Sequence, residues 1–409
     1  MISINDPEIE LLQIDGNSQH STFTRLTQHP LFDLPFRSFF LCAVFASISS
    51  MALWSAYLSG HFILSTQGLS ATVWHVHEML FAFAATVAVG FILTAVQTWT
   101  GLKSIKGLPV IGLLALWCAV RFCLLINTSE SVYLAMLFQA VWWLSVIVIF
   151  SRLVLKSRNY RNYLFIPMLT ILMLLNIGII TLDLIGNSDL ALHFARTTVL
   201  MFGLMMGVMG GRVIPFFTSS GARVGKIDTP KFILPLLLVM SISGIAVYFT
   251  GKFIDLPFTP AALMIIAGVL HLIRLSFWRT TETLRVPLLW SLHLSYACLG
   301  LGLILLGMSY MQPYILFADA LHFITIGAMA LMIFSMMSRV SLGHTGRALQ
   351  TKKAVAISFV LMFLAAIIRV FFPLIHEFQL AWHLSAVLWI AVGAIFLKVY
   401  SPILSKAKN

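Results

Sequence analysis

The chain has 409 residues, of which 60% are hydrophobic and only 10% charged, with a mean hydropathy of +0.96. A soluble protein of this length would fold as two or three domains, but a core surrounded by water cannot absorb this much apolar surface, so lipid must be the solvent. The formal net charge of +12 does not point to nucleic acid, because the cations gather in alternate loops between apolar runs, as the positive-inside rule requires.

A helix needs about 20 apolar residues to cross a bilayer, and twelve runs qualify. Met1 to Pro35 is polar and lacks the apolar core and cleavage site of a removable signal peptide, which predicts a mobile cytoplasmic arm. Span 1 covers Phe36 to Leu58. Span 2, Trp74 to Val96, opens with His75, His77 and Glu78. The two histidines are about 200° apart around a helix and do not readily grip one ion. Either one binds a metal while the other forms hydrogen bonds, or the first turn is not helical; Glu78 is placed to orient a ring nitrogen. Span 3, Leu108 to Ile126, carries Arg121, and span 4 runs from Val132 to Leu155. Span 5, Leu164 to Ile185, holds Asp183. Span 6, Ala191 to Val213, holds His193 and Arg196. Its Gly203, Gly207 and Gly211 form a GxxxGxxxG stripe that admits a neighbouring helix closely. Met201, Met205 and Met209 run beside that stripe and read as apolar filler, although thioethers also suit Cu(I).

Spans 7, 8 and 9 cover Phe232 to Thr250, Ala261 to Phe277 and Val286 to Leu306. His271 and His293 lie in the inward thirds of spans 8 and 9, placed for a second cofactor or for a quinol as electron donor. Span 10, Ile315 to Met337, has Asp319 and His322 one turn apart, a proton relay or a buried pair. Span 11, Ala354 to Phe372, carries Arg369. Span 12, Leu380 to Tyr400, precedes a short cytoplasmic tail, residues 401–409. Lys103 and Lys106, then Arg152, Lys156, Arg158 and Arg161, then Arg212, Arg223, Lys226 and Lys231 follow spans 2, 4 and 6. Arg274, Arg279 and Arg285 follow span 8, and Arg339, Arg347, Lys352 and Lys353 follow span 10, where His344 reads as part of a solvated turn. The alternate loops carry only Lys252. Even-numbered spans therefore run from outside to inside, and both termini are cytoplasmic. The expected fold is all-α: one twelve-helix transmembrane domain over residues 36–400. The four cysteines, Cys42, Cys118, Cys123 and Cys298, lie within spans without CxxC spacing and read as small buried hydrophobes.

Span 6 contains Ala191-Leu192-His193-Phe194 and span 10 contains Ala320-Leu321-His322-Phe323, the same four letters. Arg212-Val213 and Arg339-Val340 close the two spans, and span 2 fits the frame more loosely through His75 and His77. Either the fold has three groups of four helices, each with a histidine on the outer part of its second helix, or the letters coincide by chance in apolar sequence.

Ionisable groups inside a bilayer cost several kcal/mol unless paired or hydrated, so each one is a functional hypothesis. Here the outward half holds most of them. Neutral imidazoles converging from separate helices are how bundles hold metals and cofactors. A haem also needs cations for its propionates, and Arg121, Arg196 and Arg369 sit at the outward ends of their spans; the bland alternative is snorkelling to headgroups. No nucleotide-binding loop, HExxH, GxSxG or paired CxxC motif is present.

Several segments together resemble the NnrS family of bacterial inner-membrane proteins. They are Pro35-Phe36-Arg37-Ser38-Phe39-Phe40, Trp74-His75-Val76-His77-Glu78-Met79-Leu80, Thr94-Ala95-Val96-Gln97-Thr98-Trp99-Thr100-Gly101, Gly211-Arg212-Val213-Ile214-Pro215-Phe216-Phe217-Thr218 and Ser338-Arg339-Val340-Ser341-Leu342-Gly343-His344-Thr345-Gly346-Arg347. The likeness runs from about Pro35 to the end of span 12. It implies haem and copper as cofactors and a role in nitric oxide metabolism or nitrosative stress, and it places His75, His77, Glu78, His193, Arg212, His293, His322, Arg339 and His344 in the family's motifs. The architecture also resembles the catalytic subunit of haem-copper oxidases, with twelve helices and metal-binding histidines on helices 2, 6, 7 and 10. Span 7 here has no histidine, which departs from the oxidase copper site and argues against dioxygen reduction.

The leading expectation is a haem and copper protein that binds or processes nitric oxide, or relieves its damage to cellular iron. One of His75 or His77 pairs with His322 across the haem, and His193 is a copper ligand. Two other classes compete: a proton-coupled transporter using Asp183, Asp319, Glu78 or the histidines, and an assembly factor that hands haem or copper to nitrite or nitric oxide reductases.

Overall fold

The computed structural model describes residues 27–408; the part of the expected N-terminal arm up to residue 26 lies outside them. Among the described residues all regular structure is helical. The long helices are α1 (Pro35–Leu58), α2 (Ala71–Thr100), α3 (Leu108–Ile126), α4 (Ser129–Lys156), α5 (Phe165–Leu184) and α6 (Ser188–Gly221). They continue with α7 (Ile233–Thr250), α8 (Ala261–Ser276), α9 (Pro287–Met308), α10 (Phe317–Gly343), α11 (Lys353–Phe371) and α12 (Phe378–Leu404). Eleven of these are long and apolar enough to cross a membrane, so the protein is a polytopic membrane protein. The exception is α8. Its 16 residues rise about 24 Å, short of the roughly 30 Å hydrocarbon core, yet it lies alongside α7 and α9.

The helices start and stop for local reasons. Pro35, Pro109 and Pro287 sit in the first turns of α1, α3 and α9, where a missing N–H is harmless. Gly101, with φ +71°, ends α2 in the left-handed conformation. The start of α2 is held by Asp183 from α5, whose carboxylate accepts the Ser70 backbone N–H at 2.7 Å and the Ser70 hydroxyl at 3.0 Å. A carboxylate there also meets the positive end of the helix dipole.

Two helices change form midway. In α2 an α-helical segment ends at His77 and a π-helical segment runs over Glu78–Ala85. In α10 the same change follows His322, with a π-helical segment over Phe323–Ala330. A π turn takes in an extra residue and re-aims the side chains before it, a device that recurs at functional sites. The uninterrupted α6 lacks this feature.

The helices α2, α6 and α10 form the interior. Within their apolar stretches 83%, 67% and 72% of residues are buried, against 28% in α7, so the first three lie inside and α7 faces lipid. They touch one another: α2 and α10 each pack on α6, and Phe83 meets Phe334 across α2 and α10 at 5.6 Å. These three are the helices that carry the repeated histidines. The similarly buried α9 is an addition the repeat does not contain. The chain closes on itself where α12 packs against α1, and the buried Arg37 of α1 donates to the carbonyl oxygens of Leu404 at 2.9 Å and Lys406 at 2.6 Å.

The glycine stripe of α6 works differently from the expectation. A Cβ on Gly207 would lie 2.7 Å from the His271 ring, and one on Gly211 would lie 2.1 Å from the Arg274 guanidinium. These glycines admit polar side chains of α8, not a helix backbone. Backbones approach closely at α8 and α9 instead, where a Cβ on Gly268 would lie 2.5 Å from the Gly300 carbonyl oxygen.

Candidate functional site

At the end of the bundle opposite the basic loops, the first turn of α10 carries Asp319 and His322, and α11 supplies Arg369. Arg369 donates to the Asp319 carboxylate at 2.6 Å, with both side chains largely buried. His75, from the first turns of α2, stacks on Trp54 of α1 with ring centroids 4.4 Å apart. His322 stands at the end of the first α-helical segment of α10, as His75 stands in the first turns of α2. Their nitrogens are in complementary states. The Nδ1 of His75 is buried without a partner. His322 donates from Nδ1 to its own helix, to the Ala318 carbonyl oxygen at 2.6 Å, which fixes the tautomer and leaves the Nε2 lone pair available.

His77, two residues from His75, has no such freedom. It is fully buried, with Nδ1 3.4 Å from a Glu78 carboxylate oxygen and Nε2 3.3 Å from the Asn176 amide. Glu78 also accepts from Arg121 at 2.5 Å, and Arg121 reaches the Gln139 carbonyl oxygen at 3.2 Å. The result is one buried network across α2, α3, α4 and α5. Glu78 thus orients a histidine nitrogen, as its place beside His77 led us to expect.

His193 stands apart. Its Nε2 donates to the Phe249 carbonyl oxygen at 3.2 Å and its ring stacks on Tyr248 at 4.6 Å, both on α7. It borders a cleft of about 260 Å³ at the same end of the bundle, whose walls include Asp189, Arg196, Lys252, Tyr310 and Phe317. Arg196 lies 5.5 Å over the Phe317 ring and takes part in no ion pair among the described residues, while Lys252 is paired with Asp189. Burial holds the Tyr310 hydroxyl, in the loop after α9, well above its ordinary pKa, so it stays neutral. Among the described residues, no three or more His, Cys, Asp or Glu side chains gather in a metal-holding group.

The basic half holds a second polar assembly. His271 Nδ1 and the Tyr296 hydroxyl share a hydrogen bond of 2.9 Å, and the buried Arg274 donates to the Gly207 carbonyl oxygen at 2.9 Å and lies over Trp278. Arg274 therefore belongs to the interior, not to the loop after span 8. His293 is bonded on both sides, to Thr218 at 2.8 Å and to Thr280 at 3.0 Å. The cavity beside His271 is about 20 Å³, room for a water and far less than a quinol ring needs. Arg339 packs 3.9 Å over Phe217, and Arg212 donates to the Asn162 side chain at 3.1 Å. His344 is half-buried against Phe36 at 5.6 Å, not solvated, and burial lowers its pKa.

The chain's own pattern foreshadowed His75, His77, Glu78, Asp319, His322 and Arg369. Trp54, Asn176, Gln139, Arg274 and Tyr296 went unremarked as site residues. Only Arg274 carried a usable signal, an arginine at the end of an apolar run facing glycines spaced by four.

No curated protein matches the chain. The family model described as NnrS protein matches residues 30–408, nearly the whole length, and so includes the segments that carry His75 and His322. The chain therefore belongs to the NnrS family.

Proposed function

We propose that the protein holds a haem between α2 and α10, on the side of a bacterial inner membrane away from the cytoplasm, and acts in nitric oxide metabolism or protection from nitrosative stress. It does so by binding the gas or relieving its damage to cellular iron. The observation that carries this reading is that His75 and His322, on interior helices at the same end of the bundle, each keep a ring nitrogen uncommitted, with the Arg369–Asp319 pair at that end. Two residues would hold the iron: His75, which has a buried, unpartnered Nδ1, and His322, whose Nε2 is free because Nδ1 is tied to Ala318. Arg369, braced by Asp319, is the cation placed to face a propionate. Arg121 is committed to Glu78 and Gln139 and holds the network instead. A haem held there would supply a direct bond to nitric oxide, an apolar gas that crosses lipid, provided that one of the two imidazoles gives up its place on the iron to the gas. His77 serves as a brace, since both its nitrogens are engaged.

Copper fits less well. His193 offers one unbonded nitrogen, and no cluster of three or more donors surrounds it among the described residues, so no step is assigned to copper. Transport has less support than haem binding, because the carboxylates it would use for proton coupling are occupied: Glu78 by Arg121, Asp319 by Arg369 and Asp183 by Ser70.

Visible absorption spectroscopy with metal analysis of detergent-purified protein tests this reading. The expected result is a Soret band that shifts when nitric oxide is added, is lost or altered in His75→Ala and His322→Ala, and persists in His77→Ala. An iron-free, colourless preparation, or spectra unchanged in both of the first two variants, overturns it.

A further inference from the structure

The cleft between α6, α7, α9 and α10 has a role that the paired histidines do not explain. Its volume of about 260 Å³ approaches the lower end for small-molecule pockets. Its lining contains two cations, Arg196 and Lys252, and one carboxylate, Asp189, so one positive charge is left over. Among the described residues Arg196 makes no salt bridge; it hydrogen-bonds the Tyr248 hydroxyl and rests over Phe317, which itself stacks on Tyr248 with centroids 5.6 Å apart. A half-buried cation held against an aromatic floor beside an open volume, with no carboxylate in salt-bridge contact, favours an incoming anion.

We propose that this cleft binds a small organic anion, its carboxylate or phosphate held by Arg196 and Lys252 and its apolar body lying on Phe317 and Tyr248. Inorganic anions would use the cations but leave the aromatic floor wet. The Asp189 carboxylate competes for Lys252 and sets the affinity. The same chemistry is offered by a water-soluble carboxylate and by the phosphate headgroup of an anionic lipid. The site needs no haem and is independent of the axial-pair reading.

The test is calorimetric titration of benzoate, with benzyl alcohol as its uncharged counterpart, into the purified full chain in phosphatidylcholine nanodiscs. Saturable binding of benzoate and not of benzyl alcohol is expected. Arg196→Gln should weaken it about tenfold, the loss of one charge-assisted contact, and Arg196→Lys should recover part of that. Asp189→Asn should tighten it by roughly two- to fivefold, as release of an exposed ion pair predicts. This gain cannot arise from misfolding. Repeating the titration in phosphatidylglycerol nanodiscs separates the sources: lost binding identifies the lipid headgroup and retained binding a soluble anion, and either keeps the site. Equal binding of benzyl alcohol, no saturable benzoate binding, or benzoate affinity unmoved by both substitutions overturns the proposal.

Discussion

Two histidines separated by one residue have opposite roles because of what surrounds each ring. His77 is enclosed by Asn176 and Glu78, whereas His75 has a tryptophan face and an unpartnered nitrogen. The spacing of the pair already required them to face different neighbours, but nothing local told which would be free, since Asn176 and Trp54 come from distant stretches of chain. The same holds for the arginines at the outward ends. Their positions were plain, while their carboxylate partners, 43 and 50 residues away, follow from packing alone. Glu78 and Arg121 form a buried pair, and breaking such a pair on one side destabilises by about 3 kcal/mol or more. We therefore expect Glu78→Ala to lower the unfolding temperature in detergent. The double change Glu78→Gln with Arg121→Met should recover most of the loss, since no buried charge is left alone. A double variant no more stable than the single one would show that the pair is not the unit that matters.

At the scale of the helix, apolar run length located all twelve helices, since crossing lipid demands long runs. It also placed the end of α8, at Ser276, to within one residue. It did not foresee the π segments after His77 and His322. An inserted residue within an apolar helix leaves no periodic trace where every face is hydrophobic. Glycines were visible, but spacing misjudged their use: the α6 stripe receives His271 and Arg274, and the tight crossing is at Gly268 and Gly300. Gly268→Ala, whose Cβ would meet a backbone carbonyl at 2.5 Å, should destabilise by about 1–3 kcal/mol, the range for overpacking. Gly112→Ala, with nothing within 4 Å, should be neutral or stabilising by up to about 1 kcal/mol. Thermal unfolding of the two variants side by side checks the contrast, and equal effects would count against the crossing.

For the whole molecule, the helices α2, α6 and α10 that carry the repeated histidines are all interior, yet the histidines do not all converge. The α6 helix runs without a π segment, and His193 faces α7. Where α12 closes on α1, the Ser55–His383 and Trp389–Ser47 hydrogen bonds join the two helices along their length, and the buried Arg37 reaches two carbonyls at the end of the chain. Arg37→Leu should leave those helix-terminal carbonyls without a donor and lower stability by roughly 1–3 kcal/mol, read as a lower melting temperature; an unchanged one would mean that apolar packing of the two helices suffices.

The central claim is that α2 and α10 each contribute one imidazole to a single iron. Electron paramagnetic resonance of the oxidised, detergent-purified protein measures this most directly. A low-spin ferric signal with two nitrogen ligands from the protein is expected in the unchanged protein and in His77→Ala, replaced by a high-spin signal or lost in His75→Ala and in His322→Ala. A low-spin signal that survives in either of these last two variants, or that disappears with His77→Ala in a folded protein, would contradict it.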